Sequence, residues 1–484
     1  MPTNHSTFIT TSMCEIEQLN WIITSFNLTS SCFIPLWGQM ADIFGRHVAI
    51  QSSVLTMLVG SALCTGAPTS TFPVLLLGRC AGISVIVRVM LADKVSLEEN
   101  AKNWSLFSFT GGIAYGIGPV VGGWCFGINL PIGVVGMLII LLILREELLG
   151  PQPIQTIVST SAGKLLFLFG FGLMILAFTS WPVMFLGGGG GVLTCAWAVW
   201  EYLMSEGRWQ RAMVPWRIIR NRNIGLLFYT TFATGAAIYA VLYFVNLYFT
   251  MVKLYSPSQA GVQLLYWTSG LGVGVYSSMF MCNVYPRKTF VPILLGSVIE
   301  AAGVGVLAWA LWGEHTPTIF GMMALTGVGT GLRFMPAPLH AIGFFSENTA
   351  SVLAFMAVAL PLGGTLALTV MATVFNNTSG IGASSPLRDF TVISNLPEPL
   401  RSTTIHNAKM GVVWAFVALT PFMVVCIIAA MLLGNVNITK DRTNENGAVI
   451  SDVYLLRLLR RDKEKIDGES TISAEASKTE ITPA

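Results

Sequence analysis

Arg79, Arg88 and Glu300 stand inside long apolar runs of the chain. An ionisable side chain in hydrocarbon is expensive, so such residues mark a functional path by default. Glu300 lies in the middle of the run 289–312. A carboxyl buried there suits a proton carrier; a hydrogen bond to a neighbouring helix is the competing reading. Arg79 is a candidate functional residue on the same ground. Arg88 reads either as a partner for Glu300 or Asp93, or as a side chain snorkelling towards the membrane surface. Arg333, at the end of the run 318–336, reads as an anchor. Tyr239, Tyr243 and Asn246, with Tyr248, share the run 224–252 and could line a cavity for amphipathic organic molecules or simply pack. Bond-making chemistry finds no support. Cys14, Cys32, Cys64, Cys80, Cys125, Cys195, Cys282 and Cys426 show no metal-ligand spacing, and His5, His47, His315, His340 and His406 are dispersed. No enzyme, metal or cofactor is expected.

Two short motifs have mechanical meaning. GQMADIFGRH, Gly38 to His47, sits between two apolar runs. Gly38 and Gly45 allow close backbone approach, while Asp42 and Arg46 place opposite charges at helix ends. GIGPVVGG, Gly116 to Gly123, sets Gly118, Gly122 and Gly123 around Pro119. Small residues permit tight helix crossing, and proline bends a helix by removing an N–H.

The elements that carry these residues follow from composition. The 484 residues are 53% hydrophobic and 11% charged, with net charge +3. Soluble domains carry about 25% charged residues, so a soluble globule is excluded, as are disordered and nucleic-acid-binding classes. A helix needs about 20 apolar residues to cross the hydrocarbon core. The runs 21–40, 48–66, 72–92, 104–126, 131–144, 165–186, 192–204, 224–252, 259–282, 289–312, 318–336, 351–375 and 411–433 give about thirteen transmembrane helices. The fold class is an all-α polytopic membrane protein. With the N-terminus outside, the loops and tail on the cytoplasmic side hold twenty Lys and Arg, against Lys253, Arg388, Arg401 and Lys409 outside. The positive-inside rule selects that orientation. It leaves Asn4, Asn376 and Asn377 external as glycosylation acceptors, within an N-terminal segment and a long loop 376–410. Residues 451–465 are expected to form a basic amphipathic helix on the membrane surface.

The loop motif resembles that of the major facilitator superfamily, G-x-L-a-D-r-x-G-r-k: Gly38, Ala41, Asp42, Gly45 and Arg46 match, and Met40, Ile43 and His47 depart. Gly118, Pro119, Gly122 and Gly123 resemble the family's antiporter motif, with Ala114 at its first small position. Arg79 is similar to the arginine of R-x-x-Q-G, which the family associates with proton transfer, although the Gln is missing and Gly82 comes one place early. INLPIG (128–133), SPSQAGVQLL (256–265) and GVGTGLRFMP (327–336) are similar to segments of fungal members. Over roughly 15–435 the chain resembles the fungal fourteen-span drug:proton antiporter group.

The resemblance implies the major facilitator fold of two helical bundles. Residues 1–145 would be the N-terminal bundle with five of six expected spans, 146–204 a two-helix insertion, 205–223 a basic cytoplasmic loop, 224–434 the C-terminal six-helix bundle, and 435–484 a mostly disordered cytoplasmic tail. It implies a gating pair between Arg46 and Asp93. It implies proton-coupled export of a drug, toxin or secondary metabolite by alternating access, with protons, a small-molecule substrate and the lipid bilayer as partners, no nucleic acid, and a monomeric state. The alternatives are a siderophore or nutrient importer of the same superfamily and, in another class, a non-transporting receptor or inactive truncated relic. The plasma membrane is the expected location, with the vacuolar membrane as the alternative. Because the family's first span is not found, the 484-residue form is expected to export poorly.

Overall fold

The computed structural model describes residues 46–66, 129–143, 216–345, 349–381, 396–438 and 449–457, with isolated positions between them. In the first half, α1 (Arg46–Gly66) packs on α2 (Asn129–Ile143), with Gly133 seated against Leu58 and the Gln51 side-chain amide donating to the Met137 carbonyl at 3.5 Å. The expected spans 21–40, 72–92 and 165–186 lie outside the described residues, and 104–126 and 192–204 are described only at scattered helical positions.

The second half is a bundle of six passes. After a single turn, α3 (Trp216–Ile219), α4 (Arg222–Ala240) runs through a π-helical turn at Val241–Val245 into α5 (Asn246–Met251). The return pass is α6 (Pro257–Gln263) and α7 (Leu265–Asn283). Then come α8 (Phe290–Trp312), α9 (Thr316–Phe334), the short α10 (Pro336–Phe344), α11 (Thr349–Ser379) and α12 (Leu400–Met431). Local chemistry sets the starts. The Asn221 side chain accepts from the Asn223 and Ile224 amides ahead of α4. At α6, Ser256 and Gln259 cap each other's backbone N–H, with Pro257 in the first turn, where a missing N–H costs nothing.

The passes alternate between two ends of the bundle. Neighbouring pairs are α4 with α11, α7 with α9, α8 with α9 and α12, and α11 with α12. Phe244, Tyr248, Phe249, Trp267, Phe375 and Phe416 fill the interior completely. Val273, Phe280, Trp309, Trp414 and Ile428 are about half exposed on the outer faces, as expected of a surface solvated by lipid. At one end, Glu314 between α8 and α9 holds Lys253 at 2.8 Å and Lys409 at 2.9 Å. Those two lysines keep its carboxyl below the ordinary carboxylate value.

At the other end the chain beyond α12 folds back. β1 (Asn435–Val436) pairs antiparallel with β2 (Val449–Ile450), and Asn437 bridges Lys288 in the α7–α8 turn. The Ser451 carbonyl accepts from Arg222 and Asn223, both at 2.9 Å. Lys288 donates to the Tyr454 hydroxyl at 2.8 Å, and the Tyr454 ring meets Phe290 edge-on. Asn435, Val436, Ile438 and Tyr454 are buried by this clasp.

The boundaries differ from expectation in two places. The loop expected at 376–410 is shorter: α11 runs to Ser379 and α12 starts at Leu400, so Asn376 and Asn377 belong to the last turns of α11. Of the amphipathic helix expected at 451–465, only 454–457 is helical among the described residues, and Tyr454 docks on the bundle.

Candidate functional site

Between the ends of the second bundle lies a cluster of polar side chains supplied by α8, α9 and α12. Glu300 sits in the middle of α8 with no exposure, and Arg333 near the end of α9 is 1% exposed. The two form an ion pair through Arg333 Nη2 and Glu300 Oε2. The Thr330 hydroxyl contacts the other carboxyl oxygen, Glu300 Oε1, and also the Thr326 carbonyl at 3.0 Å. On the far side of the guanidinium, Arg333 Nη1 donates to Cys426 Sγ of α12 at 2.7 Å. The Cys426 thiol donates towards Ser297 Oγ at 3.6 Å, and Ser297 donates to the Ile293 carbonyl at 2.8 Å. Among the described residues Arg333 Nε has no hydrogen-bond partner.

Glycine makes this contact between helices possible. A Cβ on Gly329 would stand 2.5 Å from the Glu300 backbone nitrogen. One on Gly296 would stand 2.7 Å from the Gly329 carbonyl oxygen, and one on Gly303 would stand 2.6 Å from Thr326 Oγ1. The segment GVGTGLR thus presents Gly329 to α8 and Gly327 and Gly331 to α7, with Thr330 and Arg333 brought to Glu300. Each ion alone would cost several kcal/mol to bury, so the pair holds together because each charge faces its opposite, with Thr330 and Cys426 as further partners.

Arg333, read from sequence as an anchor at a helix end, is instead the buried partner of Glu300, a place for which Arg88 had also been a candidate. A signal for it was present. Within the six runs from 224 to 433, Glu300 is the only acid and Arg333 the only base. Two lone opposite charges inside one bundle have every reason to meet. Thr330, Ser297 and Cys426 carry no such signal, because hydroxyls and thiols are common in membrane helices.

Tyr243 is packed in the core, edge-on to Phe244 at 5.0 Å between centroids. Tyr239 is half-buried and lies against Gly364 of α11. Asn246, just past the π turn, is half-buried with an Oδ1 that has no hydrogen-bond partner among the described residues. π turns recur at functional positions in helices. Arg46 opens α1. Gly38, Asp42, Gly45, Arg79, Arg88, Asp93, Gly118, Pro119, Gly122, Gly123 and Asn4 lie outside the described residues. Among the described residues no group of His, Cys, Asp and Glu is arranged to hold a metal ion.

Comparison with known proteins places this geometry. The chain is 27% identical over 388 residues to the "MFS-type transporter TwmF" of Talaromyces wortmannii, covering 74% of this chain and 63% of that one. It is 27% identical to the "Aspyridones efflux protein" of Neocamarosporium betae, covering 76% and 70%. It is also 27% identical to "Efflux pump aflT" of Aspergillus parasiticus, covering 67% and 68%. The chain therefore spans about two thirds of the length of these curated relatives. Among solved structures, the proton:xylose symporter XylE superposes with a TM-score of 0.54 at 11% identity, covering 87% of this chain and 89% of that one. The human organic anion transporter MFSD10 gives 0.53 at 12% identity, covering 85% and 83%. At such identities the likeness is one of fold. The family model of the Major Facilitator Superfamily matches residues 5–368, and the chain belongs to that family.

Proposed function

We propose that this protein exports a small organic compound across the plasma membrane in exchange for protons, working as a monomer by alternating access of two bundles. Export is supported by the relatives named as efflux proteins. Proton exchange rests on one observation: a carboxyl with no exposure, midway along a membrane helix and paired with a buried arginine of the next helix. Adding a proton to Glu300 cancels one half of that pair and leaves Arg333 as an uncompensated charge. A ligand shifts a two-state equilibrium only through such a differential interaction. The end bearing the clasp faces the cytosol in this reading. It carries Arg217, Arg220, Arg222, Arg287 and Lys288, whereas the other end mixes Lys253, Arg401 and Lys409 with Glu314 and Glu398.

The test uses the full chain in proteoliposomes, a lipophilic fluorescent dye and an imposed pH gradient. Dye should move uphill against the proton flux, and an ionophore should stop it. Glu300→Gln should still pass dye down its own gradient but lose the uphill movement. Dye that follows the protons would make the protein an importer, and dye indifferent to the gradient would remove proton coupling.

A further inference from the structure

The Thr330 hydroxyl has one proton and two acceptors. One is the Thr326 carbonyl, 3.0 Å away in the same helix; the other is Glu300 Oε1. A hydroxyl can donate once while accepting through its lone pairs. Around an ionised Glu300, Thr330 turns its proton to the carboxylate. Around a protonated Glu300, the carboxyl donates to Thr330 Oγ1, and Thr330 turns its own proton to Thr326. Both protonation states are thus hydrogen-bonded by one rotation of an O–H, with α8 and α9 held in contact by Gly329 and Gly296.

On the other side, Arg333 keeps a partner in either state. Its Nη1–H donates to Cys426 Sγ, and that thiol's own proton is spent on Ser297. Among the described residues, the charged and titratable groups that contact Glu300 are therefore Arg333 of α9 and, through it, Cys426 of α12. From α10, His340 meets α8 only at Thr289, eleven residues and about 16 Å along the helix from Glu300. Tyr229 of α4 donates to the Phe422 carbonyl of α12 at 3.2 Å.

We infer that Thr330 is a positioning residue for proton exchange at Glu300, rotating between donor and acceptor as the carboxyl loses and gains its proton, while Cys426 holds Arg333 in place. No bond other than these hydrogen bonds changes. The proton enters and leaves at the Glu300 carboxyl, and the cluster passes between zero and one net positive charge. This rests on the reading of Glu300 as the proton carrier.

Two readouts separate the two ideas. The first is infrared difference spectroscopy of the solubilised full chain during a pH titration, where the band of a protonated, buried carboxyl should appear and should be absent in Glu300→Gln. Thr330→Val keeps the shape and removes the hydroxyl, so it should shift both that band and the pH at which it appears. Thr330→Ser should restore the wild-type band. The second is the pH profile of uphill dye movement. Thr330→Val should lower it about tenfold, the size of a lost hydrogen bond to a charged group, with the dye's apparent KM unchanged. The same substitution placed in Glu300→Gln should leave that variant's downhill dye movement unchanged. If Thr330→Val leaves both band and profile as in wild type, or slows downhill dye movement about tenfold in the Glu300→Gln background, the positioning role is wrong. If the band responds to Thr330 while the dye ignores the proton gradient, the role stands and proton-coupled export falls.

Discussion

His340 shows how a single side chain in this protein ties stability to pH. It lies on α10, beyond the membrane passes, with no exposure. Its Nδ1 meets the Thr289 hydroxyl at 2.8 Å, Phe344 stacks on the ring, and Nε2 has no partner among the described residues. Burial pushes the imidazole down to about 3 from an ordinary 6.5. In the unfolded chain the ring takes a proton as pH falls through 6.5, and in the folded chain it takes none until about 3. Its contribution is therefore complete above 6.5 and is lost progressively on acidification towards 3. At pH 5 the loss amounts to about 2 kcal/mol. Glu314, which its two lysines hold below the ordinary 4.5, stays charged at pH 5 and does not confuse the measurement. Thermal unfolding of the solubilised chain should drop between pH 7 and pH 5, and His340→Gln should flatten that drop. Parallel slopes would show that His340 is not the cause. Nothing in the sequence around His340 distinguishes it from a surface histidine, because its burial comes from Thr289 and the clasp residues, far away in sequence. Glu300 was legible as an isolated acid in an apolar run. Its partner was overlooked although Arg333 is the one base in the six runs from 224 to 433, because it looks terminal until α9 is seen to lie against α8 with Gly329 between them.

At the scale of elements, α8 and α9 behave as one body. Their seam of Gly296, Gly303, Thr326 and Gly329 leaves no room for a methyl group. Overfilling a packed contact costs about 1–3 kcal/mol. Gly329→Ala should therefore lower the melting temperature and the yield of folded protein. Gly305→Ala, whose added methyl meets nothing within 4 Å, should be neutral or stabilise by roughly 0.5–1 kcal/mol through helix propensity. If the two variants melt alike, the seam does not hold the helices. Existence and rough length of the passes were open to reading because hydrophobic length is a one-dimensional property: the run 289–312 became Phe290–Trp312, and 224–252 became Arg222–Met251. The start of α12 was misplaced because Leu400 to Met410 is polar. Its helix continues beyond the apolar stretch, where Lys409 reaches Glu314, and apolar counting has no access to that contact.

For the whole molecule, the clasp beyond α12 ties the first pass of the second bundle to its third. Gly434 donates to Asn223 at the start of α4, and Thr289 donates to the Val436 carbonyl at the start of α8. A chain stopped after residue 434 loses Val436 and Ile438 from the interior, each worth about 1.5–3 kcal/mol when buried. It should melt well below a chain stopped after residue 457, which keeps the clasp. Equal melting of the two would mean that the clasp contributes nothing. Two-residue strands carry no periodic signal, so this element was invisible beforehand; the charged surroundings of 449–457 pointed instead to a membrane-surface helix. The clasp also has a place in time. During synthesis the parts that emerge first fold first, and β2 is translated only after all six helices of its bundle. The rim at the clasp end therefore stays unsealed until the ribosome has passed Tyr454. A frameshift downstream of α12 would therefore leave six complete helices whose Asn223, Thr289 and Lys288 lack the partners that the clasp supplies.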